Sequence, residues 1–168
     1  MKNIYLVGFM GTGKTVVGKV LAEKLSKEFI EMDACIEERE TSKIVDIFAQ
    51  KGEAYFRGLE KVLLGELSKR DNLVVSCGGG LICDTDNLNQ LIATGVVFAL
   101  KASAFTIYQR IKDCSHRPIL NVDNPRERIE QLLEKRAFYY AKAQYSIDTD
   151  DFSPKEVVDK IIAILNHG

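Results

Sequence analysis

The sequence has few of the residues that build metal centres or disulfide frameworks. It contains four cysteines, none in C-x-x-C spacing, and two histidines, one of them near the C-terminus. A zinc site is therefore not expected, and the cysteines are predicted to be free thiols in a reducing cytosol. These thiols are Cys35, Cys77, Cys83 and Cys114.

Long apolar runs and an excess of charge of one sign are also missing. No stretch approaches the length of a membrane span, and the first apolar run leads into a glycine-rich loop, which argues against a signal peptide. A net charge of -1 gives no reason to expect nucleic-acid binding. We therefore expect a cytoplasmic protein whose partners are small molecules. No apolar surface stripe demands a second copy, so a monomer is predicted.

Internal repeats, low-complexity tracts and interdomain linkers are absent too, and 168 residues suit one domain with a full core. We therefore predict a single domain over residues 1–168. Short apolar runs alternate with helical patterns, which predicts a parallel sheet with helices on both faces. The predicted strands are Asn3–Val7, Phe29–Met32, Leu73–Cys77, Val96–Leu100 and Ser146–Asp148.

What the sequence does contain is a phosphate-binding loop. Residues Gly8–Thr15 fit the pattern G-x-x-x-x-G-K-[ST], with a predicted strand before them and a helical pattern after them. Glycines let backbone N–H groups turn toward phosphates, and the helix N-terminus favours negative charge. Lys14 is predicted to reach the β- and γ-phosphates, and the Thr15 hydroxyl to bind Mg²⁺.

Polar residues and glycines lie at two further strand ends, where ligands of such sheets bind. Glu31 and Asp33 lie at the end of the second strand, and three consecutive glycines, Gly78–Gly80, follow the third. One carboxylate could bind the metal or its water, and the other could accept the proton of an attacking hydroxyl. The alternative is a solvated strand end with Asp33 as a helix cap. The glycines favour close approach of the backbone to a ligand.

Arginines are the remaining candidates for anion binding. Arg57 and Glu60 lie three apart on a predicted helix, Glu53–Lys69, and their pairing would hold the guanidinium for a planar anion. Arg136 is compatible with the same role or with a solvated helix surface. The polar loop 113–122 contains Arg117 and is predicted to be a lid over the phosphates. His116 is predicted to be an exposed loop residue.

Several spaced motifs together resemble one family. They are the phosphate loop Gly8–Thr15, Glu31-Met32-Asp33 followed by Ile36-Glu37, Gly52-Glu53…Phe56-Arg57…Glu60, the triplet Gly78–Gly80, Arg117-Pro118-Ile119-Leu120, and Arg136 followed by Tyr139 or Tyr140. In this order, from Lys2 to about Leu165, they resemble the shikimate kinases. The resemblance implies ATP-dependent phosphorylation of the 3-hydroxyl of shikimate, in the chorismate pathway toward aromatic amino acids. It also implies a three-layer α/β/α P-loop kinase fold with a lid and a parallel sheet ordered 2-3-1-4-5.

The resemblance also assigns residues to sites. It implies a shikimate-binding subregion at about 33–61, in which Asp33 holds a ring hydroxyl and Arg57 and Arg136 bind the carboxylate. Lys14, Asp33 and Arg117 are the expected catalytic residues. The remaining acceptor contacts implied are Phe48, Phe56, Gly78, Gly79 and Gly80. The ATP contacts implied are Gly11, Thr12, Gly13, Lys14, Thr15, Val16, Arg110, Arg117, Ser153 and Pro154. Mg²⁺ is expected on Thr15 and, through water, on Glu31.

Two departures from the family pattern and three alternatives remain open. The family usually shows Asp-x-Asp where this chain has Glu31 first, and the adenine-side loop 149–152 is more acidic than expected. A gluconate or nucleoside monophosphate kinase would also have a phosphate loop and lid arginines, although Met10 stands where adenylate kinase-like loops carry proline. A GTPase switch would need Asn-Lys-x-Asp, which the sequence lacks. A catalytically inactive binding protein is disfavoured because the residues Lys14, Thr15, Asp33 and Arg117 are intact.

Overall fold

The computed structural model describes residues 2–114 and 122–167. These residues form a five-stranded parallel sheet in the order β2-β3-β1-β4-β5. The strands are β1 (Asn3–Val7), β2 (Glu28–Glu31), β3 (Leu73–Ser76), β4 (Gly95–Lys101) and β5 (Tyr145–Asp148). The predicted strand order is confirmed.

Helices cover both faces of the sheet. They are α1 (Lys14–Leu25), α2 (Met32–Glu40), α3 (Ile44–Leu67), α4 (Thr85–Thr94), α5 (Ala104–Ile111), α6 (Pro125–Tyr140) and α7 (Pro154–His167), with a 3₁₀ helix at Leu81–Cys83. No helix in the described part of the chain is long and apolar enough to cross a membrane.

Two separate apolar clusters show that the sheet is buried on both faces. Along β1, Ile4 and Leu6 belong to one cluster, whereas Tyr5 and Val7 belong to the other, because successive side chains of a strand point to opposite faces. The first cluster is completed by α1 and α7, and the second by α2 to α6. The result is the predicted three-layer α/β/α arrangement.

Four of the five predicted strands differ from the observed ones by one residue at one or both ends, and two element boundaries need an explanation. The second strand ends at Glu31, and Met32 begins α2, so strand and helix follow each other without a loop. Met32 is fully buried and prolongs the apolar run, which is why the run alone predicted a longer strand. The predicted helix Glu53–Lys69 is the second part of α3, which is interrupted at Gly52 with φ 81°. That backbone conformation favours glycine.

Candidate active site

The backbone of the phosphate loop between β1 and α1 binds the side chain of Lys14. Lys14 Nζ donates hydrogen bonds to the carbonyl oxygens of Gly8 at 2.8 Å and Phe9 at 3.0 Å. Thr12 Oγ1 donates to Phe9 O at 2.7 Å. Gly13 precedes α1 in the left-handed conformation, with φ 96°. The loop therefore combines a fixed ammonium group with the N-terminus of a 12-residue helix, which is the chemistry of a phosphate site.

Three oxygen-bearing side chains meet beside this loop. Thr15 Oγ1 donates to Glu31 Oε2, and Ser76 Oγ donates to Glu31 Oε1 at 2.8 Å. Glu31 and Ser76 are paired residues of β2 and β3, so the sheet itself brings them together. Hydroxyl and carboxylate oxygens are the ligands that Mg²⁺ prefers. The residues present therefore fit a divalent cation, and the longer side chain of Glu31 reaches both hydroxyls.

Asp33 lies in the first turn of α2, next to that cluster. Its Oδ1 atom is buried and has no hydrogen-bond partner among the residues described. Burial raises the pKa of Asp33, the charge of Glu31 raises it further, and Lys14 opposes both effects. The N-cap position of α2 belongs to Glu31, and no side chain caps this helix. Helix capping therefore does not account for Asp33, whereas a ligand hydroxyl would supply the missing donor.

Arg57 is held by two carboxylates on α3. Its NH1 atom donates to Glu60 Oε2 at 2.6 Å, and its NH2 atom donates to Glu53 Oε1 at 3.0 Å. The Glu60 side chain is 1% exposed, and its Oε1 atom has no partner in the described structure. Burial raises the pKa of Glu60, and Arg57 opposes that rise. The predicted pair of Arg57 and Glu60 is thus present, and it fixes the orientation of the guanidinium.

The glycine triplet runs between the two arginines that sequence analysis assigned to one anion. A Cβ atom on Gly80 would lie 2.5 Å from Arg57 NH2, and one on Gly79 would lie 3.6 Å from Arg136 NH1. A Cβ on Gly78 would lie 2.2 Å from Glu60 Oε1. Larger side chains at Gly78 and Gly80 would therefore displace Glu60 and Arg57, whereas a Cβ atom at Gly79 would make ordinary van der Waals contacts. Arg57 and Arg136 approach the triplet at neighbouring residues, as two ligands of one carboxylate would require.

Apolar side chains form one wall of the same cleft. The rings of Phe48 and Phe56 lie with their centroids 4.9 Å apart, and Phe56 is 5% exposed. Both residues were predicted from the family resemblance. Ile44 and Val45, on the first turn of α3, extend this wall. These two aliphatic residues were missed because, in the sequence, they look like ordinary positions of a helix.

Arg110 lies at the opposite end of the cleft and connects two of its segments. Its guanidinium donates to Gly11 O at 3.1 Å and to Thr149 O at 2.7 Å, so it ties the phosphate loop to the segment after β5. Pro154 lines the cleft, whereas the Ser153 hydroxyl accepts a hydrogen bond from Glu156 N and caps α7. Arg117 and His116 lie outside the described residues.

The phosphate loop, Asp33, the glycine triplet and the arginines Arg57, Arg110 and Arg136 line one continuous cleft of about 980 Å³. That volume lies at the upper end for ligand pockets and has room for a nucleotide together with a small acceptor. Several residues of the lining were not predicted from the sequence. They are Val17, Ile44, Val45, Cys77, Ile111 and Val157.

Comparison with known proteins gives a consistent result. The family model "Shikimate kinase" matches residues 10–166. The shikimate kinase of Thermodesulfovibrio yellowstonii is 44% identical over 162 residues, 96% of this chain and 94% of that protein. The shikimate kinase of Sulfurihydrogenibium sp. is 46% identical over 96% of each chain.

Solved structures give the same picture. A shikimate kinase from Acinetobacter baumannii in complex with shikimate superposes with a TM-score of 0.94, at 38% identity, over 99% of this chain and 94% of that chain. A gluconokinase from Sinorhizobium meliloti has a TM-score of 0.63 at 18% identity, over 99% of this chain and 92% of that chain, which shows a shared fold alone. The chain belongs to the shikimate kinase family.

Proposed function

We propose that this ATP-using kinase transfers the γ-phosphoryl group of ATP to the 3-hydroxyl of shikimate inside the described cleft. The family gives the activity and the acceptor. The observation that supports the site is the continuity of the cleft. The phosphate loop lines it together with Asp33, Arg57 and Arg136. Donor and acceptor can therefore meet in one continuous space, as phosphoryl transfer requires.

At the donor end, Lys14 balances the charge of the β- and γ-phosphates, and Gly11–Val16 surround them. Thr15 would hold Mg²⁺ directly and Glu31 would hold it through water, and Glu31 accepts the hydrogen bond of Thr15. When bound, Mg²⁺ neutralises charge on the phosphate oxygens. Arg110 and the segment at Ser153 and Pro154 bound the adenine side. We also propose that residues 113–122, most of which lie outside the described residues, serve as a lid and that Arg117 binds the phosphates.

At the acceptor end, residues 33–61 form the shikimate-binding subregion. Asp33 accepts a hydrogen bond from the reacting hydroxyl and takes its proton as the new bond forms. Arg57 and Arg136 bind the carboxylate with charge-assisted hydrogen bonds. Phe48 and Phe56 pack against the apolar face of the ring, and the triplet Gly78–Gly80 approaches the hydroxyls. We further infer that the chain acts as a monomer in the cytoplasm, because one chain builds the whole described cleft and ATP is supplied there.

The acceptor assignment is tested by a coupled assay of ADP release with shikimate, gluconate and AMP as acceptors. We expect kcat/KM for shikimate to exceed that for either competitor by about 10²-fold or more, because two arginines and a buried carboxylate would be left unpaired by a poorly fitting acceptor. ATP hydrolysis without acceptor is the blank. Comparable rates with gluconate would contradict the assignment.

The metal assignment is tested by Thr15→Val, which keeps the shape of the side chain and removes its hydroxyl. We expect the Mg²⁺ concentration for half-maximal activity to rise about 10-fold or more, because a ligand and its hydrogen bond to Glu31 are both lost. Mn²⁺ binding to the ADP complex, measured by electron paramagnetic resonance, should weaken in parallel. Thr15→Ser is the matched control and should retain metal binding. An unchanged Mg²⁺ requirement in Thr15→Val would remove Thr15 from the metal site.

A further inference from the structure

Tyr140, the last residue of α6, presents a buried hydroxyl to the glycine triplet. The side chain is 6% exposed, and its hydroxyl donates a hydrogen bond to Gly79 O at 2.6 Å. Burial raises the pKa of Tyr140 to about 12, and the neighbouring Arg136 guanidinium opposes that rise only in part. The hydroxyl therefore stays protonated at neutral pH and remains a hydrogen-bond donor.

Arg136 lies one helical turn before Tyr140, so the two side chains share one face of α6. The Arg136 guanidinium approaches the same glycine, since a Cβ atom on Gly79 would lie 3.6 Å from its NH1 atom. It also lies 5.5 Å from the ring centroid of Phe9, in the phosphate loop. Tyr140 thus connects the C-terminal end of α6, the helix that carries Arg136, to the backbone of the triplet.

The hydrogen bond to Gly79 O restricts the whole peptide unit between Gly79 and Gly80. The Gly79 carbonyl and the Gly80 N–H belong to one planar trans peptide unit, so they point in opposite directions and turn together. Consecutive glycines have no side chains to hold such a unit in place. Gly80 packs against the Arg57 guanidinium on its far side. Fixing one end of this peptide therefore fixes the backbone between both arginines.

We propose that Tyr140 is a positioning residue of the acceptor pocket. Its hydroxyl holds the Gly79–Gly80 peptide in place and fixes the position of Arg136 relative to that peptide. The backbone and the carboxylate-binding arginine are then both positioned to bind the acceptor. This inference rests on the proposed function for its consequence in catalysis. The anchoring of the peptide is a property of the protein without substrate.

The test is Tyr140→Phe, which removes only the hydroxyl, with Tyr139→Phe as the matched control on the same helix. We expect KM for shikimate to rise about 3- to 10-fold in Tyr140→Phe, the usual effect of one hydrogen bond, while KM for ATP stays within about 2-fold. Tyr139→Phe should change neither constant. In an Arg136→Lys background, Tyr140→Phe should have a smaller effect, because part of its action passes through Arg136.

A second measurement needs no substrate. In the unliganded protein, the NMR signals of the Gly79 carbonyl carbon and the Gly80 amide should shift in Tyr140→Phe and not in Tyr139→Phe. Unchanged signals in Tyr140→Phe, or equal rises of KM for ATP and shikimate, would overturn the proposal. If the unaltered protein did not phosphorylate shikimate, the proposed function would fail, and these signals would still decide whether Tyr140 holds the peptide.

Discussion

Replacing Asp33 with asparagine should lower turnover by about 10²–10⁴-fold, the usual contribution of a general base. Asparagine can still accept a hydrogen bond from the reacting hydroxyl, but it cannot take the proton. The measurement is kcat at saturating ATP and shikimate. ATP affinity, measured by calorimetry, should stay almost unchanged, because the proposed function assigns the phosphates to the loop around Lys14 and Asp33 to the acceptor.

The chain offers a matched control for this substitution. Asp86 also lies in the first turn of a helix, but it is exposed and pairs with Lys61 on the surface at 3.2 Å. Asp86→Asn therefore makes the same chemical change at an equivalent helix position, away from the cleft. Turnover of Asp86→Asn should remain normal. An equal loss of turnover in both variants would point to a general effect of helix destabilisation.

The second large effect is expected for Arg57→Lys and Arg136→Lys. Charge-assisted hydrogen bonds contribute about 1.5–3 kcal/mol each, so KM for shikimate should rise roughly 10- to 150-fold in each variant. An ammonium group cannot replace the guanidinium fork, and at Arg57 it cannot hold Glu53 and Glu60 together while it binds a carboxylate. The measurement is the Michaelis constant for each substrate.

The control for the arginine variants is Arg126→Lys. Arg126 pairs with Glu130 at 3.3 Å on the exposed surface of α6, and surface pairs contribute little. Its replacement should leave both Michaelis constants unchanged. A selective rise of KM for ATP in Arg57→Lys or Arg136→Lys would move these arginines out of the acceptor pocket.

The architecture could be predicted because it depends on repeated local signals. Alternating apolar runs and helical patterns indicated a parallel sheet, and the phosphate loop could be recognised from Gly8–Thr15 and its flanking elements. The strand order came from the family resemblance, since alternation alone does not specify which strands are neighbours. The sequence also marks two helix starts, at Asn124-Pro125 and Ser153-Pro154, and the side chains of Asn124 and Ser153 accept hydrogen bonds from the helices that follow.

The contacts that organise the site could not be predicted in the same way, because they join residues far apart in sequence. Ser76 is one polar residue at the end of an apolar strand, and only strand pairing brings it to Glu31. Tyr140 lies 61 residues from Gly79, its hydrogen-bond partner. The helix-cap alternative for Asp33 arose from a boundary error, since β2 continues into α2 without a loop and leaves the cap position to Glu31.

We propose that Asp33 serves phosphoryl transfer and does not serve the stability of α2. The most direct test measures the single-turnover rate of shikimate phosphorylation and the melting temperature on the same preparation of Asp33→Asn. We predict a rate lower by about 10²-fold or more, with an equal or higher melting temperature, because the variant removes a buried carboxylate whose Oδ1 has no partner in the described structure. A melting temperature lowered by a few degrees, with a near-normal rate, would contradict the account.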